Sequence, residues 1–186
     1  MSKEAHMNRL LLLALIAFGL GTAPSLAQSQ QPYAGLEGRS IKALSEQQIA
    51  DLRAGRGMGL ALAAELNGYP GPMHVLELAD SLDLSDRQRA KMQELFTARK
   101  AEAIPLGERL IAQEADLDKQ FANKTITPAS LAAATDAIGI TQAALRQAHL
   151  KYHLSTVEVL TPAQVQRYSE LRGYKTGIER PHGRHQ

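Results

Sequence analysis

Two histidines near the end of a long helical segment have the spacing of a metal-binding pair. His149 and His153 are four residues apart, so on a helix both imidazole rings lie on one face and can bind the same first-row transition metal ion. Alternatively, the rings share a row with Leu145 and Val157, are partly buried there and form hydrogen bonds within the fold. Two imidazoles supply only half of a tetrahedral shell, so a metal site needs further ligands.

Other candidate ligands lie much earlier and at the C-terminal end of the sequence. Met73 and His74 stand on a short predicted helix, and Glu77 follows His74 by three residues, which places the imidazole and the carboxylate on one helix face. His182 and His185 belong to a polar tail, residues 175–186, that we predict to be disordered. The tail histidines are therefore weaker candidates than His74.

The motifs that carry common catalytic chemistry are absent from the sequence. There is no cysteine nucleophile, no G-x-S-x-G turn, no H-E-x-x-H pair and no phosphate-binding loop after a strand. The glycine-rich stretch at residues 55–59 (GRGMG) lies between two predicted helical segments, so we interpret it as a hinge. We expect a binding protein and not an enzyme, with no required cofactor and a transition metal ion (zinc, nickel, cobalt or copper) as the candidate ligand.

The N-terminal residues have the organisation of a secretory signal peptide. Basic residues precede an apolar run at residues 10–20, and small residues follow it. The run is short for a membrane span, and no later segment reaches the required length, so we expect no stable membrane insertion. We predict that residues 1–27 are removed by cleavage after Ala27, with Ala23 as the alternative, and that the mature protein is periplasmic.

The mature chain expected after cleavage is nearly neutral. Removing Lys3, Arg9 and Glu4 with the signal leaves 19 basic and 18 acidic residues of the 21 and 19 in the whole sequence. This balance argues against a nucleic-acid partner. The sequence contains no cysteine, so no disulfide can form in an oxidising compartment. Met7 is an alternative start that keeps the export signal, and His6 is lost with the signal.

A five-residue pattern, Leu-Ser/Thr-x-x-Gln, marks the predicted helix starts. It occurs at residues 44–48, 84–88 and 160–164, and residues 127–130 form a weaker copy without the glutamine. The Ser or Thr side chain accepts a hydrogen bond from the backbone N–H three residues on, and the glutamine reaches back to the N–H of the cap. We therefore assign this pattern to helix capping and give it no chemistry.

The starts and the apolar periodicity predict an all-α protein. The hairpin helices begin at residues 85 and 128, a short last helix spans 161–172, and Pro105 is expected to kink or split the first long helix. Before them we predict a helical region at 45–66, loosened by its glycines, and a short helix at 72–82. The domain ranges are 1–27 (signal peptide), 28–40 (flexible leader), 41–70 (N-terminal helical arm), 71–174 (helical domain) and 175–186 (disordered tail).

The first long helix carries a partial heptad seam. Phe96, Ala103, Leu110 and Leu117 recur every seven residues, which is coiled-coil-like spacing. The companion row is interrupted by Arg99, whose stem we expect to cover apolar surface while its charged head stays in water. The second long helix, folded back as an antiparallel hairpin, is the natural packing partner for this seam.

An export signal and two Leu-Ser/Thr-x-x-Gln starts that frame a long hairpin resemble the Spy/CpxP family of periplasmic proteins. The zinc-responsive ZraP and the metal sensor CnrX are related to this family. The resemblance covers residues 71–174, whereas the copy at 44–48 and the glycine-rich helix after it lie outside the pattern. It implies a curved, often dimeric all-α cradle, made of a long antiparallel helical hairpin with short flanking helices.

The resemblance implies two functions from different classes. The first, which we favour because its features span the chain, is an ATP-independent chaperone-like role in envelope stress, with a homodimer binding unfolded or envelope proteins. The second is heavy-metal sensing or resistance. CnrX-like sensors take ligands from a helix before the hairpin and from a histidine pair near its end. The positions that match here are His74 with Glu77 and His149 with His153, although Leu78 stands where those sensors have a second early histidine.

Overall fold

A computed structural model describes residues 33–174. The predicted signal peptide at 1–27 and the predicted tail at 175–186 lie outside the described residues, as does most of the predicted leader at 28–40. The described residues from 35 onward belong to one compact unit.

The described chain is all-α, as the sequence predicts, with an isolated bridge between Ile41 and Leu44 and no strand in the part that the structure describes. None of the helices in this part is both long and apolar enough to cross a membrane. In chain order the helices are α1 (Glu46–Arg53), α2 (Leu62–Glu65), α3 (Pro72–Glu77), α4 (Asp86–Ala122), α5 (Pro128–Val159) and α6 (Pro162–Leu171).

Capping boxes begin four of these helices, at the places that the sequence pattern predicts. Ser45, Ser85 and Thr161 each accept a hydrogen bond from the backbone N–H of the glutamine three residues later, and that glutamine side chain accepts from the N–H of the cap. At Thr127 the same reciprocal arrangement forms with Ser130 in the role of the glutamine. A serine is therefore long enough to close the box at the start of α5.

The hairpin of α4 and α5 is the main packing pair of the fold. Pro105 lies inside α4 but does not split it, since the helix is continuous from Asp86 to Ala122. Pro105 and Ala101, whose carbonyl loses its helical partner, are both exposed to water, which can hydrate that carbonyl. On the opposite face the fully buried Ala103 holds the helix in the core.

The arm before the hairpin differs from its prediction. The predicted helical region at 45–66 is two separate helices, α1 and α2, because Gly55, Met58 and Gly59 between them have left-handed backbone angles (φ 63°, 43° and 80°). The helix predicted at 72–82 ends at Glu77. The glycines thus leave residues 54–61 outside any helix, between α1 and α2.

The arm packs directly against α4, in a contact that a glycine makes possible. A Cβ atom at Gly107 would lie 2.5 Å from the backbone oxygen of Leu52, so only glycine lets α1 approach this closely. Leu52 and Ile49 of α1 join Leu110 and Leu145 of the hairpin in one apolar cluster. The role of the arm, which the sequence leaves open, is thus partly structural.

A second apolar cluster closes the other end of the hairpin, where the two glutamine caps meet. Gln88 Nε2 donates to Val159 O (3.0 Å) and lies 2.8 Å from Gln164 Oε1, and Gln164 Nε2 donates to Leu82 O (3.1 Å). Val75, Met92, Leu160 and Tyr168 are buried in the cluster beside them. The capping glutamines therefore also tie α4 to α6 across the fold.

Candidate functional site

A cavity of about 520 Å³ lies between the arm and the hairpin. Its volume falls within the usual range for small-ligand sites. The arm and α3 contribute Arg56, Met58, Glu65, Met73 and His74 to its wall. The hairpin contributes Phe96, Arg99, Lys100, His149 and His153. Three of the four predicted ligands, His74, His149 and His153, thus line one cavity.

His153 is buried, and its tautomer is set by the chain before α3. Its Nδ1 lies 2.6 Å from the backbone oxygen of Tyr69. Since a carbonyl only accepts, Nδ1 donates, and the neutral ring carries its lone pair on Nε2. A Cβ at Gly71 would lie 2.9 Å from Cε1 and 3.1 Å from Nε2 of this ring, so only glycine lets the chain pass this close to that edge. Nε2 is therefore the nitrogen of His153 that has a lone pair to offer a ligand.

His149 is also buried, but it has the opposite tautomer. Arg99 Nη1 lies 3.3 Å from His149 Nδ1, and a guanidinium only donates, so Nδ1 accepts and Nε2 carries the proton. This Nε2 is buried and has no hydrogen-bond partner in the described chain. Burial, followed by the positive charges of Arg99 and His153, lowers the pKa of His149 to about 4, so the ring is neutral at pH 7.

His74 has a carboxylate behind it. Its Nδ1 lies 2.8 Å from Glu77 Oε2, and because the carboxylate accepts, the neutral ring has its lone pair on Nε2. A carboxylate behind a histidine is the arrangement that commonly orients metal-binding imidazoles. Glu77, predicted as a ligand itself, is not among the residues that line the cavity. It orients His74.

Glu65 is a buried residue of the cavity wall that no sequence pattern singles out. Its carboxylate accepts hydrogen bonds from Tyr168, from Tyr174 (3.1 Å) and from the backbone N–H of Gly71 (3.2 Å). Its Oε2 also lies 3.7 Å from His153 Nδ1. Burial, together with the hydrogen bond to Glu65, raises the pKa of Tyr168. Glu65 therefore joins α2, the start of α3, α5 and α6 behind the cavity.

The prediction that the charged head of Arg99 stays in water is wrong. The residue is 8% exposed, and its Nη1 donates to the backbone oxygen of Gly55 (2.7 Å) as well as to His149. Burial lowers its pKa. Arg99 therefore holds the glycine-rich segment of the arm against the hairpin. The break in the arm supplies the carbonyl that accepts from it, which the periodicity of α4 alone could not indicate.

Histidine and carboxylate side chains alone do not complete a metal shell here. Across residues 33–174 no three or more His, Cys, Asp or Glu side chains are grouped so that they could hold one ion. Met58 and Met73 are 41% and 39% exposed and line the same cavity as His74 and His153. Their thioethers are soft donors that complement the two imidazole nitrogens. The hydrogen bonds of His74 and His153 leave Nε2 of each ring as a lone-pair donor, whereas His149 could offer Nε2 only by exchanging its bond to Arg99.

Comparison with known proteins identifies one family. No curated protein and no solved structure matches the chain. A family described as heavy-metal resistance matches residues 57–167, which is 111 of the 186 residues. The match starts within the glycine-rich segment, so it includes most of the cavity wall and the hairpin but not α1. The chain therefore belongs to the heavy-metal resistance family, in line with its resemblance to the Spy/CpxP group.

Proposed function

We propose that this protein is a periplasmic metal-binding protein that takes a soft transition metal ion into the cavity between arm and hairpin. The observation that carries the proposal is that His74 and His153 have the same tautomer, with the lone pair on Nε2. The hydrogen bonds of His74 and His153 leave Nε2 of both rings as lone-pair donors, and both rings line one cavity. Membership of a heavy-metal resistance family supports the same role.

The donor set favours copper(I) among the transition metals. Two imidazole nitrogens and the thioethers of Met58 and Met73 form a soft set, which suits Cu(I) better than nickel or cobalt. Charge supports the same choice, because Arg99 and Lys100 on the cavity wall repel a divalent ion more strongly than a singly charged one. The chain's contribution is to hold the donors in place through Glu77, Tyr69 O and Glu65.

An anaerobic competition titration tests this proposal. The mature protein competes with a chromophoric Cu(I) chelator, and we expect one high-affinity site. His153→Gln and Met73→Leu should each weaken Cu(I) binding by tenfold or more, which corresponds to about 1.4 kcal/mol. Met92→Leu is the matched control, since Met92 is fully buried in the apolar core and the change nearly conserves volume. Equal affinity in the parent, His153→Gln and Met73→Leu proteins would exclude this site.

Chaperone-like binding of unfolded envelope proteins, with a homodimer as the working form, is the second candidate. It is favoured by large apolar side chains that α5 presents to solvent, among them Ile140 (72% exposed) and Leu154 (55%). The parent should slow aggregation of an unfolded client at near-stoichiometric ratio with a chelator present. Ile140→Ser with Leu154→Ser should weaken this protection, whereas the exposed polar control Gln142→Ser should keep it. No protection by the parent would exclude this role.

A further inference from the structure

Arg99 and Lys100 place two cations without carboxylate partners on the wall of the cavity. Neither forms an ion pair with any acidic group in residues 33–174. Arg99 is buried, and its polar contacts are neutral, namely Gly55 O and the ring of His149. Burying a cation without a counter-charge is costly, so a fold that keeps one beside a cavity is suited to an anion from outside the chain.

Both cations also approach the same aromatic ring. The guanidinium carbon of Arg99 lies 5.3 Å, and Lys100 Nζ 5.8 Å, from the centroid of the same ring, that of Phe96. The face of an aromatic ring favours each cation separately but does not cancel their mutual repulsion. An oxygen anion bound at this wall would offset that repulsion.

The rest of the cavity does not supply the missing negative charge. Glu65 is the acidic side chain on the wall within the described chain, and its carboxylate is already engaged by Tyr168, Tyr174 and Gly71 N–H. Arg56 adds a further positive charge, although it is paired with Asp51 at 2.7 Å. The potential in the cavity is therefore positive on the side of α4.

His149 adds an unused donor to the same wall. Because its Nδ1 accepts from Arg99, the proton is on Nε2, and this buried N–H has no acceptor among the described residues. A buried donor without an acceptor is costly, and native proteins keep few of them. An oxygen of a bound anion is the acceptor that this group lacks.

We propose that the cavity binds a small oxygen anion, a tetrahedral oxyanion or a carboxylate, at the wall formed by Arg99, Lys100 and His149. A guanidinium matches two oxygens of such a group with two parallel N–H donors, and the ammonium of Lys100 adds a third contact. This anion site goes beyond the proposed metal binding and does not require it. The metal donors His74 and His153 are not part of it.

Calorimetric titration of the chelator-treated, metal-free mature protein tests the anion site. The probes are inorganic phosphate, arsenate and succinate, each titrated at constant ionic strength so that general screening does not change. We expect saturable binding of at least one probe. Arg99→Gln and Lys100→Gln should each weaken it by about tenfold or more, because charge-assisted hydrogen bonds are lost. The matched controls Arg109→Gln and Lys119→Gln, exposed on the same helix, should bind as the parent does.

Each outcome of the titration decides the proposal. Binding of phosphate and arsenate alone assigns an oxyanion site, and binding of succinate alone assigns a carboxylate site. No saturable binding of any probe, or the same loss in the control variants, overturns the proposal. Arg99→Gln could unfold the arm because Arg99 also holds Gly55, so Lys100→Gln, checked for parental helicity by circular dichroism, carries the decision if that happens. Cu(I) affinity measured separately keeps this result independent of the metal proposal.

Discussion

His149 is a buried imidazole whose charged form the fold disfavours. Its pKa is lowered from 6.5 to about 4 in the folded chain. As the pH falls below 6.5 the unfolded chain takes up the proton first, so stability is complete above that pH and decreases towards pH 4. The loss attributable to this ring is on the order of 3 kcal/mol.

Urea unfolding of the parent and of His149→Gln between pH 7 and pH 4 measures this effect. The glutamine can still accept a hydrogen bond from Arg99 but does not titrate, so its unfolding free energy should fall less steeply with acidification. If both proteins lose stability with the same slope over this range, the ring is not held neutral by the fold.

Glu65 is the residue at which a conservative change should be most damaging. Glu65→Gln keeps the size but places an amide where three donors converge, and we expect a loss of about 1 to 3 kcal/mol in unfolding free energy. Glu108→Gln is the matched control, because Glu108 is half exposed and pairs with Arg53 on the surface. Its loss in urea unfolding should stay below about 1 kcal/mol, and equal losses in both variants would contradict the account.

The sequence predicts which histidines share a helix face, but it does not predict the side chains that contact them. Spacing identified the face of His149 and His153, because that relation is local to one helix. The partners that decide how each ring works are remote in sequence: Arg99 is 50 residues from His149, and Glu65 is 103 residues from Tyr168. No local pattern carries these contacts, so the burial of Arg99 and the role of Glu65 required the structure.

At the scale of elements, Gly107 controls how closely α1 approaches α4. Glycine to alanine in a helix usually stabilises by up to about 1 kcal/mol, but a Cβ at residue 107 would meet Leu52 O at 2.5 Å. Gly107→Ala should therefore lower the melting temperature. Gly139→Ala in α5 is the control, since nothing lies within 4 Å of its Cβ, and it should raise the melting temperature. A stabilised Gly107→Ala protein would show that the arm is not packed this closely.

The capping glutamines of α1 and α4 differ in the number of hydrogen bonds that they form. Gln88→Ala removes a capping box and the bonds to Val159 and Gln164, whereas Gln48→Ala removes a capping box alone. We expect Gln88→Ala to cost roughly 1 to 2 kcal/mol more than Gln48→Ala in urea unfolding, because each lost hydrogen bond is worth about 1 kcal/mol. Similar costs for the two variants would mean that the bonds between α4 and α6 add nothing.

The sequence predicts a helix boundary where residues close to that boundary determine it. The starts of α1, α4, α5 and α6 follow from capping boxes, and the hairpin follows from apolar periodicity. The sequence predicts a loosened helical region where the structure has a full break between α1 and α2. A single glycine can stay helical, and only the left-handed backbone angles at Gly55, Met58 and Gly59 end the helix. Of the two effects expected of Pro105, splitting does not occur, since α4 continues through it from Asp86 to Ala122.

At the scale of the whole molecule, the arm and the hairpin together line one cavity. The arm is pinned by Arg99 to Gly55 and by close packing at Gly107, and this brings Met58 to the same cavity as His153. The proposed metal donors come from the arm, from α3 and from α5. Loosening the arm should therefore weaken Cu(I) binding as well as stability, although no ligand is changed.

The most direct test is a nuclear magnetic resonance titration of the mature protein, labelled at methionine methyl carbons and histidine ring nitrogens, with diamagnetic Cu(I). We expect the methyl signals of Met58 and Met73 to shift while that of Met92 stays in place. The Nε2 signals of His74 and His153 should move at the same copper ratio. Shifts confined to His182 and His185, with the signals of Met58, Met73, His74 and His153 unchanged, would contradict the proposed Cu(I) site.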